Sequence, residues 1–410
     1  MRIGYLMQQG VDLGAPVPDG PANHVHEVIS HLQGLGHEVT LLARSNGHYS
    51  LMTLEGEGGF RTTRQLSASN RSFVERAIRR LQDELHLPYL NLFDSLQFAS
   101  ICQQELAGCD VLLERVSWTG FGGTIAARRM GRPLILEYNG DPLHDLEAKG
   151  IAPRGVQKWL TIALTRRSLR RARYIVASGS GWQRQLIERW RVDPAKTRLV
   201  ENGTALLGFL PRQELACFNV DSNQRGYTKI VYLGGFQPWQ GVEKLLQAVN
   251  HAKAVVGHLE VELLGDGPEM NTCRQLANEL GLESVCSFRG RMSSREYGPL
   301  LAAADVGVAP YCGWSEYSGL KIMDYKAAGL ATIASGEGGQ PATIHNEQTG
   351  LIVPPCDVQA LSAAIVRLAS DPKLRHRMGR QARLEAERLH GWDSTAKALE
   401  EILSQAMVDD

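Results

Sequence analysis

Short apolar runs alternate with helix-length amphipathic segments from one end of this 410-residue chain to the other. That alternation constrains the fold more than any other feature, because a short apolar run feeding a helical repeat is the pattern of βα units on a parallel sheet. The class is therefore α/β. In the first half, strands are expected at Arg2–Met7, Glu38–Ala43, Val111–Glu114, Pro133–Tyr138 and Arg173–Ala177. In the second half they are expected at Lys229–Gly234, Leu259–Leu264, Val285–Phe288, Val306–Ala309 and Ala331–Ala334. Between the first two strands Val25, Val28, Ile29, Leu32 and Leu35 recur at helical spacing, and Gly36-His37 stops the helix. That makes one clean βαβ unit.

A second series of the same kind starts at Lys229, after a strandless stretch, 208–226, that holds Pro211, Asn223 and Gly226. An inter-domain linker is expected there. It divides the chain into a first Rossmann-like domain over 1–207 and a second over 227–388. The chain ends in two helical stretches, Pro372–Arg388 and Trp392–Met407, broken by a turn near His390-Gly391.

Composition narrows the function classes. With 43% hydrophobic and 21% charged residues the chain is ordinary globular material. Its 44 basic and 44 acidic residues cancel, so no global charge argues for nucleic acid as partner. Seven cysteines without a C-x-x-C pair argue against both a disulfide framework and a zinc site, and point to a reducing cytoplasm. The N-terminus turns polar after a short apolar run and lacks the apolar core of a signal peptide. No stretch reaches the roughly 18 apolar residues of a membrane-spanning helix. Two basic amphipathic segments, 154–173 around Trp159 and Ser72–Leu85, read either as solvated helix faces or as contacts with an anionic membrane surface.

The chemistry is expected where glycine-rich turns follow strands, at the carboxyl ends of the two sheets. The turn from Gly234 through Gly235, Gln237 and Gln240 to Gly241 opens a helix whose free N–H groups suit phosphate oxygens; glycines also serve ordinary tight turns. The run Gly265-Asp266-Gly267-Pro268 forces a sharp turn. Arg291 and Met292 close a further strand and offer backbone groups to a nucleobase, or are simply solvated. The most informative stretch runs from Ser315 to Gly329. A helix starting at Ser318 or Gly319 would present free N–H groups, including that of Leu320, and a partial positive charge to a phosphate. Glu316 would lie in the preceding loop beside the sugar, Lys321 near the leaving diphosphate, and Asp324 within reach of a ribose.

In order and spacing these segments resemble the retaining family-4 glycosyltransferases of the GT-B fold. The resemblance is carried by Gly20-Pro21-Ala22-Asn23-His24-Val25, GHEVTLLAR, the Asn202-Gly203 turn, GGFQPWQGV, LLGDGP, FRGRM, LAAADVGVAP, the Glu316/Asp324 pair and Gly338-Gly339 before Gln340. It covers nearly the whole chain. It implies two Rossmann-like domains facing across a cleft, the first binding the acceptor, the second the nucleotide sugar, with the last helix (about 391–410) packing back on the first. By match, Glu316 contacts the donor sugar and Asp324, usually Glu in the family, the ribose. An Arg and a Lys that usually hold the diphosphate are replaced by Gly235 and Gln240, for which Lys321, Arg289 or Arg291 would compensate. Asn139 stands where many relatives carry a histidine beside the transferring sugar. His24, Asn23 and Asp141 fall on the acceptor or sugar side.

The expected reaction moves a sugar, UDP being the default carrier, to a hydroxyl acceptor with retention, in cell-surface glycan or glycoconjugate synthesis. Neither cofactor nor metal is called for, and the expected location is the cytoplasm or the cytoplasmic membrane face. Two alternatives stay open: a nucleotide-sugar epimerase, and a catalytically silent GT-B protein that binds a nucleotide sugar or a partner.

Overall fold

The computed structural model describes residues 1–8, 13, 20–45, 48–55, 59–66, 77, 80, 84, 92–117, 120–148, 152–218, 226–312, 319–336 and 343–408. The chain forms two compact units, Met1–Glu201 with Thr395–Asp410, and Asn202–Ser394.

The first unit is built on an eight-stranded sheet. Its strands are β1 (Arg2–Met7), β2 (Glu38–Ser45), β3 (His48–Leu54), β4 (Phe60–Leu66), β5 (Val111–Arg115), β6 (Leu134–Tyr138), β7 (Tyr174–Ala177) and β8 (Thr197–Leu199), in the order β4-β3-β2-β1-β5-β6-β7-β8. The central strands are covered on both faces, so Ile3, Tyr5, Leu6 and Met7 are all buried; this is why they read as a continuous apolar run instead of an alternation. The crossover helix α1 (Gly20–Gly34) buries Val25, Val28, Ile29 and Leu32 in one stripe. After it come α2 (Leu92–Glu105), α3 (Gly122–Met130), α4 (Pro142–Ala148), α5 (Gly155–Arg171) and α6 (Ser180–Glu188).

One edge departs from the expected all-parallel sheet: β3 and β4 add as an antiparallel meander on β2. The polar run Phe60–Leu66 is exposed at its five central positions and carries no period-2 signal. The short strand β8 was not expected either.

The second unit holds a six-stranded, wholly parallel sheet of β9 (Thr228–Leu233), β10 (Leu259–Leu264), β11 (Cys286–Gly290), β12 (Val306–Ala309), β13 (Ala331–Ser335) and β14 (Gly350–Val353). Its order is β11-β10-β9-β12-β13-β14. The helices are α7 (Val242–Val256), α8 (Met270–Glu279), α9 (Ser294–Ala302), α10 (Leu320–Ala327), α11 (Val358–Ser370) and α12 (Pro372–Leu389). The last helix, α13 (Trp392–Val408), enters the first unit at Thr395. There the Thr395 hydroxyl donates to the Glu201 carbonyl at 2.9 Å, and Glu400 pairs with His37 at 2.9 Å.

Two expectations need correction. The unit boundary lies at Glu201–Asn202, ahead of the 208–226 stretch read as a linker. The described part of that stretch forms short 3-10 turns whose Leu210, Leu215 and Cys217 fill the second unit's core. Arg383 and Arg380 of α12 hold its carbonyls at Leu210 and Cys217, each at 2.8 Å.

The cysteines also include a pair. Cys312 and Cys356 form a disulfide across 44 residues of sequence, each lying three positions beyond a strand of the same sheet, β12 and β14. Parallel strands bring these ends together although their spacing in the sequence does not. The other five cysteines are buried thiols.

Candidate active site

The second sheet grows outward from β9 in one direction through β10 and β11, and in the other through β12, β13 and β14. Between β9 and β12 the order reverses, and the carboxyl ends of the strands at such a switch point are where an open α/β sheet binds its ligand. Four turns converge there. The Gly234 N–H donates to the Leu264 carbonyl at 2.9 Å, Phe236 N–H to Asp266 at 3.0 Å, Gly265 N–H to Gly290 at 2.7 Å, and Cys312 N–H to Trp239 at 2.9 Å. The turns after β9, β10, β11 and β12 are thus laced backbone to backbone.

Glycine is required at two of these crossings. Gly265 has φ +136° and a Cβ there would overlap the Gly234 carbonyl; Gly241 has φ +68° and a Cβ there would overlap the Pro310 carbonyl. Gly235 differs: an added Cβ meets nothing nearer than 3.7 Å. Sterics therefore do not explain why a glycine replaces a cationic residue at that position.

A buried cation stands on the other side of the switch point. Lys321 sits in the first turn of α10, behind Gly319, whose φ of +57° starts the helix. Its side chain is 6% exposed. The ammonium donates to the Gln240 amide oxygen and lies 4.8 Å from the Tyr232 ring centre and 4.7 Å from that of Tyr311, distances at which aromatic faces stabilise a cation. The Tyr232 hydroxyl in turn donates to the Gly235 carbonyl at 2.7 Å. A Cβ on Gly234 would stand 2.8 Å from the ammonium, so that glycine leaves room for it.

One turn further along α10, Asp324 is half-buried. Its two oxygens accept from the Thr204 hydroxyl at 2.6 Å and the Tyr297 hydroxyl at 2.9 Å. Thr204 also caps the turn Ala205–Gly208 through the Leu206 N–H, and Tyr297 lies on α9, behind a Ser293/Glu296 capping box. Both donors fix the orientation of the carboxylate.

Of the other expected residues, Gln237, Met292 and Leu320 are half-buried and Arg291 is exposed. Arg289 is engaged by a carboxylate: its guanidinium forks onto the buried Glu262 at 2.8 and 3.1 Å, and this hydrogen bond, outweighing burial and joined by Lys229, holds the Glu262 carboxyl below its ordinary range. Glu316, Ser318 and the Gly338-Gly339-Gln340 segment lie outside the described residues, as does most of Ser72–Leu85.

In the first unit a buried polar group forms at the carboxyl ends of β1 and β6. His24, 6% exposed at the start of α1, places Nε2 3.4 Å from Glu137 Oε1 and 3.4 Å from the Asn139 amide nitrogen. Tyr5 donates its hydroxyl to the other Glu137 oxygen. Burial alone would raise the Glu137 carboxyl, but His24 and the Tyr5 hydrogen bond outweigh it and the net direction is down. His24 and Asn139 are thereby brought together, with the half-buried Asn23 beside them on α1.

Asp141, expected on the acceptor or sugar side, directly precedes α4. It is fully buried, accepts the Leu143 N–H at 2.9 Å at the start of α4 and pairs with Arg189 at 2.9 Å. Thr204, Tyr297, Tyr232 and Tyr311 were missed, since single hydroxyl residues scattered over more than 100 positions leave no motif.

A family model described as "Glycosyl transferase 4-like domain" matches residues 19–203, and one described as "Glycosyl transferases group 1" matches residues 218–385. A D-inositol 3-phosphate glycosyltransferase of Streptomyces scabiei (strain 87.22) is 27% identical over 308 residues, 71% of this chain and 67% of that protein. The protein of the same description from Thermomonospora curvata is 30% identical over 251 residues, 57% of each chain. The chain thus spans only part of the length of these relatives. Among solved structures, sucrose-phosphate synthase from Thermosynechococcus elongatus aligns with a TM-score of 0.72 at 21% identity over 100% of both chains. The HepE protein of Anabaena in complex with UDP aligns at 0.70 and 18% identity over 99% of this chain and 100% of that one. At these identities the likeness is one of fold: both of the chain's units fall within it.

Proposed function

The chain belongs to the group 1 glycosyltransferases of the GT-B fold, and from that premise we propose that it moves a sugar from a UDP-sugar to a hydroxyl acceptor with retention at the anomeric carbon. The observation that carries this reading is Lys321, a buried ammonium placed by Gln240, Tyr232 and Tyr311 at the switch point of the second sheet. A buried cation held among glycine-rich turns suits a diphosphate, and it restores the charge that Gly235 and Gln240 lack.

In this reading residues 227–388 hold the donor. Asp324, positioned by Thr204 and Tyr297, accepts from the ribose hydroxyls. The first N–H groups of α10 and the Lys321 ammonium take the charge that develops on the leaving diphosphate. Glu316 contacts the hydroxyls of the sugar. The acceptor hydroxyl attacks on the face that the diphosphate leaves, and the leaving oxygen takes its proton. With a cation and a helix N-terminus in place, the step requires no metal. His24 and Asn139, tied together beside Glu137, serve the sugar and acceptor side with Asn23 in residues 1–207, and the enzyme works in the cytoplasm or at its membrane face. UDP is favoured as carrier because the fold neighbour HepE is described with UDP, UDP and glucose, and UDP-glucose.

A catalytically silent nucleotide-sugar binder has one observation in its favour, the neutral residues at 235 and 240. Incubation with UDP-sugars and an acceptor panel that includes inositol 3-phosphate separates the readings. We expect UDP release that depends on acceptor, persists in EDTA and yields a product of retained configuration. Glu316→Gln should keep donor binding and lose transfer. Donor binding without turnover on any acceptor, equal in wild type and variant, would favour the silent protein, and interconversion of the donor sugar without acceptor would favour an epimerase.

A further inference from the structure

Helix α5 carries Lys158, Arg166, Arg167, Arg170 and Arg171, Arg154 precedes it, and it contains no acidic residue, in a chain whose formal charge is zero. Its inner face is unambiguous: Thr161, Thr165, Ser168 and Leu169 are buried. On the opposite side, positions 156, 159, 163, 167 and 170 follow each other at helical spacing and every one is exposed. The amino-terminal half of that stripe is apolar, with Val156 73% and Trp159 66% exposed. The carboxyl-terminal half is cationic, with Arg167, Arg170 and Arg171.

A solvated helix face does not account for this pattern. Leaving an indole and a valine in water on the same ridge is unfavourable, and the helix has no acidic residues of its own to balance its arginines. Among the described residues Lys158 is the one basic residue of the helix paired with a carboxylate, Glu147 at 2.9 Å, while Arg166 reaches the Arg189 carbonyl. No helix among the described residues is long and apolar enough to cross a membrane.

We propose that the outer face of α5 docks the first unit on a lipid bilayer rich in anionic headgroups. Trp159 and Val156 enter the interfacial zone, where an indole places its ring among acyl chains and its N–H among headgroups. The three exposed arginines lie over the lipid phosphates. The complementarity is double: an apolar tip that an aqueous polyanion cannot use, and a cationic row that a neutral bilayer would leave unmatched. The site lies in the unit that does not carry the Lys321 switch point, so its test is independent of sugar transfer.

The test is co-sedimentation of the full chain with vesicles of phosphatidylcholine alone and with phosphatidylglycerol added, at low and high salt. Wild type should bind the anionic vesicles only, and salt should weaken it. Each arginine near an anionic surface contributes about 1 kcal/mol, a factor of roughly five; replacing Arg167, Arg170 and Arg171 by Gln should therefore weaken binding about a hundredfold. Trp159→Ala should weaken binding and abolish quenching of tryptophan emission by brominated lipid, and circular dichroism would establish that both variants are folded. Equal binding by folded variants would overturn the proposal. So would failure of wild type to bind anionic vesicles, or arginine-dependent binding to heparin or RNA without vesicle binding, which would reassign the face to a soluble polyanion.

Discussion

The Thr204 hydroxyl donates to the Asp324 carboxylate at 2.6 Å across 120 residues of sequence, joining the start of the second unit to the helix that carries the candidate donor site. If Asp324 receives the ribose, Thr204 is a positioning residue. Asp324→Asn, which removes the charge that strengthens such bonds, should weaken donor binding by about 10- to 100-fold, corresponding to roughly 1.5–3 kcal/mol. Thr204→Val, which removes one of the hydroxyls that orient the carboxylate and leaves that of Tyr297, should cost about fivefold with little effect on kcat. Calorimetric titration of the donor into both variants checks this; a Thr204→Val protein with a changed kcat and unchanged donor affinity would contradict the assignment.

Gln240 stands at a position where family members commonly carry lysine, and restoring that lysine is expected to have a cost. The amide oxygen accepts from the buried Lys321 ammonium, so Gln240→Lys would set two cations face to face. The free variant should melt below wild type, by roughly 2–4 °C for each kcal/mol lost. Because a diphosphate would neutralise both ammoniums, the variant should gain more Tm from the donor than wild type does. Thermal shift with and without donor tests the pair, and an equal donor-induced shift in both proteins would place the diphosphate elsewhere.

Two buried carboxyls make stability depend on pH with opposite signs. Burial pushes Glu114 up to about 7 against a hydrogen bond from Gln8. Its protonated form is favoured in the folded chain, so its contribution is complete below about pH 4.5 and is lost as pH rises through 7, roughly 3 kcal/mol in all. Glu385 is the reverse. Burial would raise it, yet His390 and the buried Lys326, 2.5 Å away, bring it down to about 2. Its contribution is present above about pH 4.5 and lost as pH falls toward 2. Glu114→Gln should flatten the decline in stability from acid to neutral pH. Glu385→Gln should destabilise by about 3–5 kcal/mol at neutral pH by stranding Lys326, with the difference from wild type vanishing in strong acid. Denaturant unfolding across pH measures both.

The Cys312–Cys356 disulfide closes a 44-residue separation, a length for which loop-closure entropy gives a stabilisation of about 4 kcal/mol at most. Reduction, or Cys356→Ser, should lower the Tm of the second unit and leave the first unit's transition in place. Identical melting curves with and without dithiothreitol would show that the bridge does not form or does not stabilise.

Except for β8 and β14, the parallel strands were legible because burial on both faces makes them uninterrupted apolar runs, as in Tyr5-Leu6-Met7 or Val306–Ala309. The elements that escaped have a physical reason for it. Strand β4 is polar at Arg61, Thr62, Thr63, Arg64 and Gln65 because both its faces meet water, and β8 is only three residues long. The segment taken as a linker has the composition of one, but Leu210 and Leu215 are 2% and 0% exposed because α12 packs over them. In the site, Lys321 and Asp324 could be placed from their distance to the helix start after Gly319. Thr204 and Tyr297 could not, since a lone hydroxyl acquires meaning only when folding brings it to a carboxylate.

The central claim, that Lys321 supplies the diphosphate charge missing at 235 and 240, is tested most directly by titrating UDP and uridine into wild type and Lys321→Met. The account predicts that wild type binds UDP more tightly than uridine, and that the variant loses about 10- to 100-fold in UDP affinity with uridine binding unchanged. Equal UDP affinity in both proteins would contradict it.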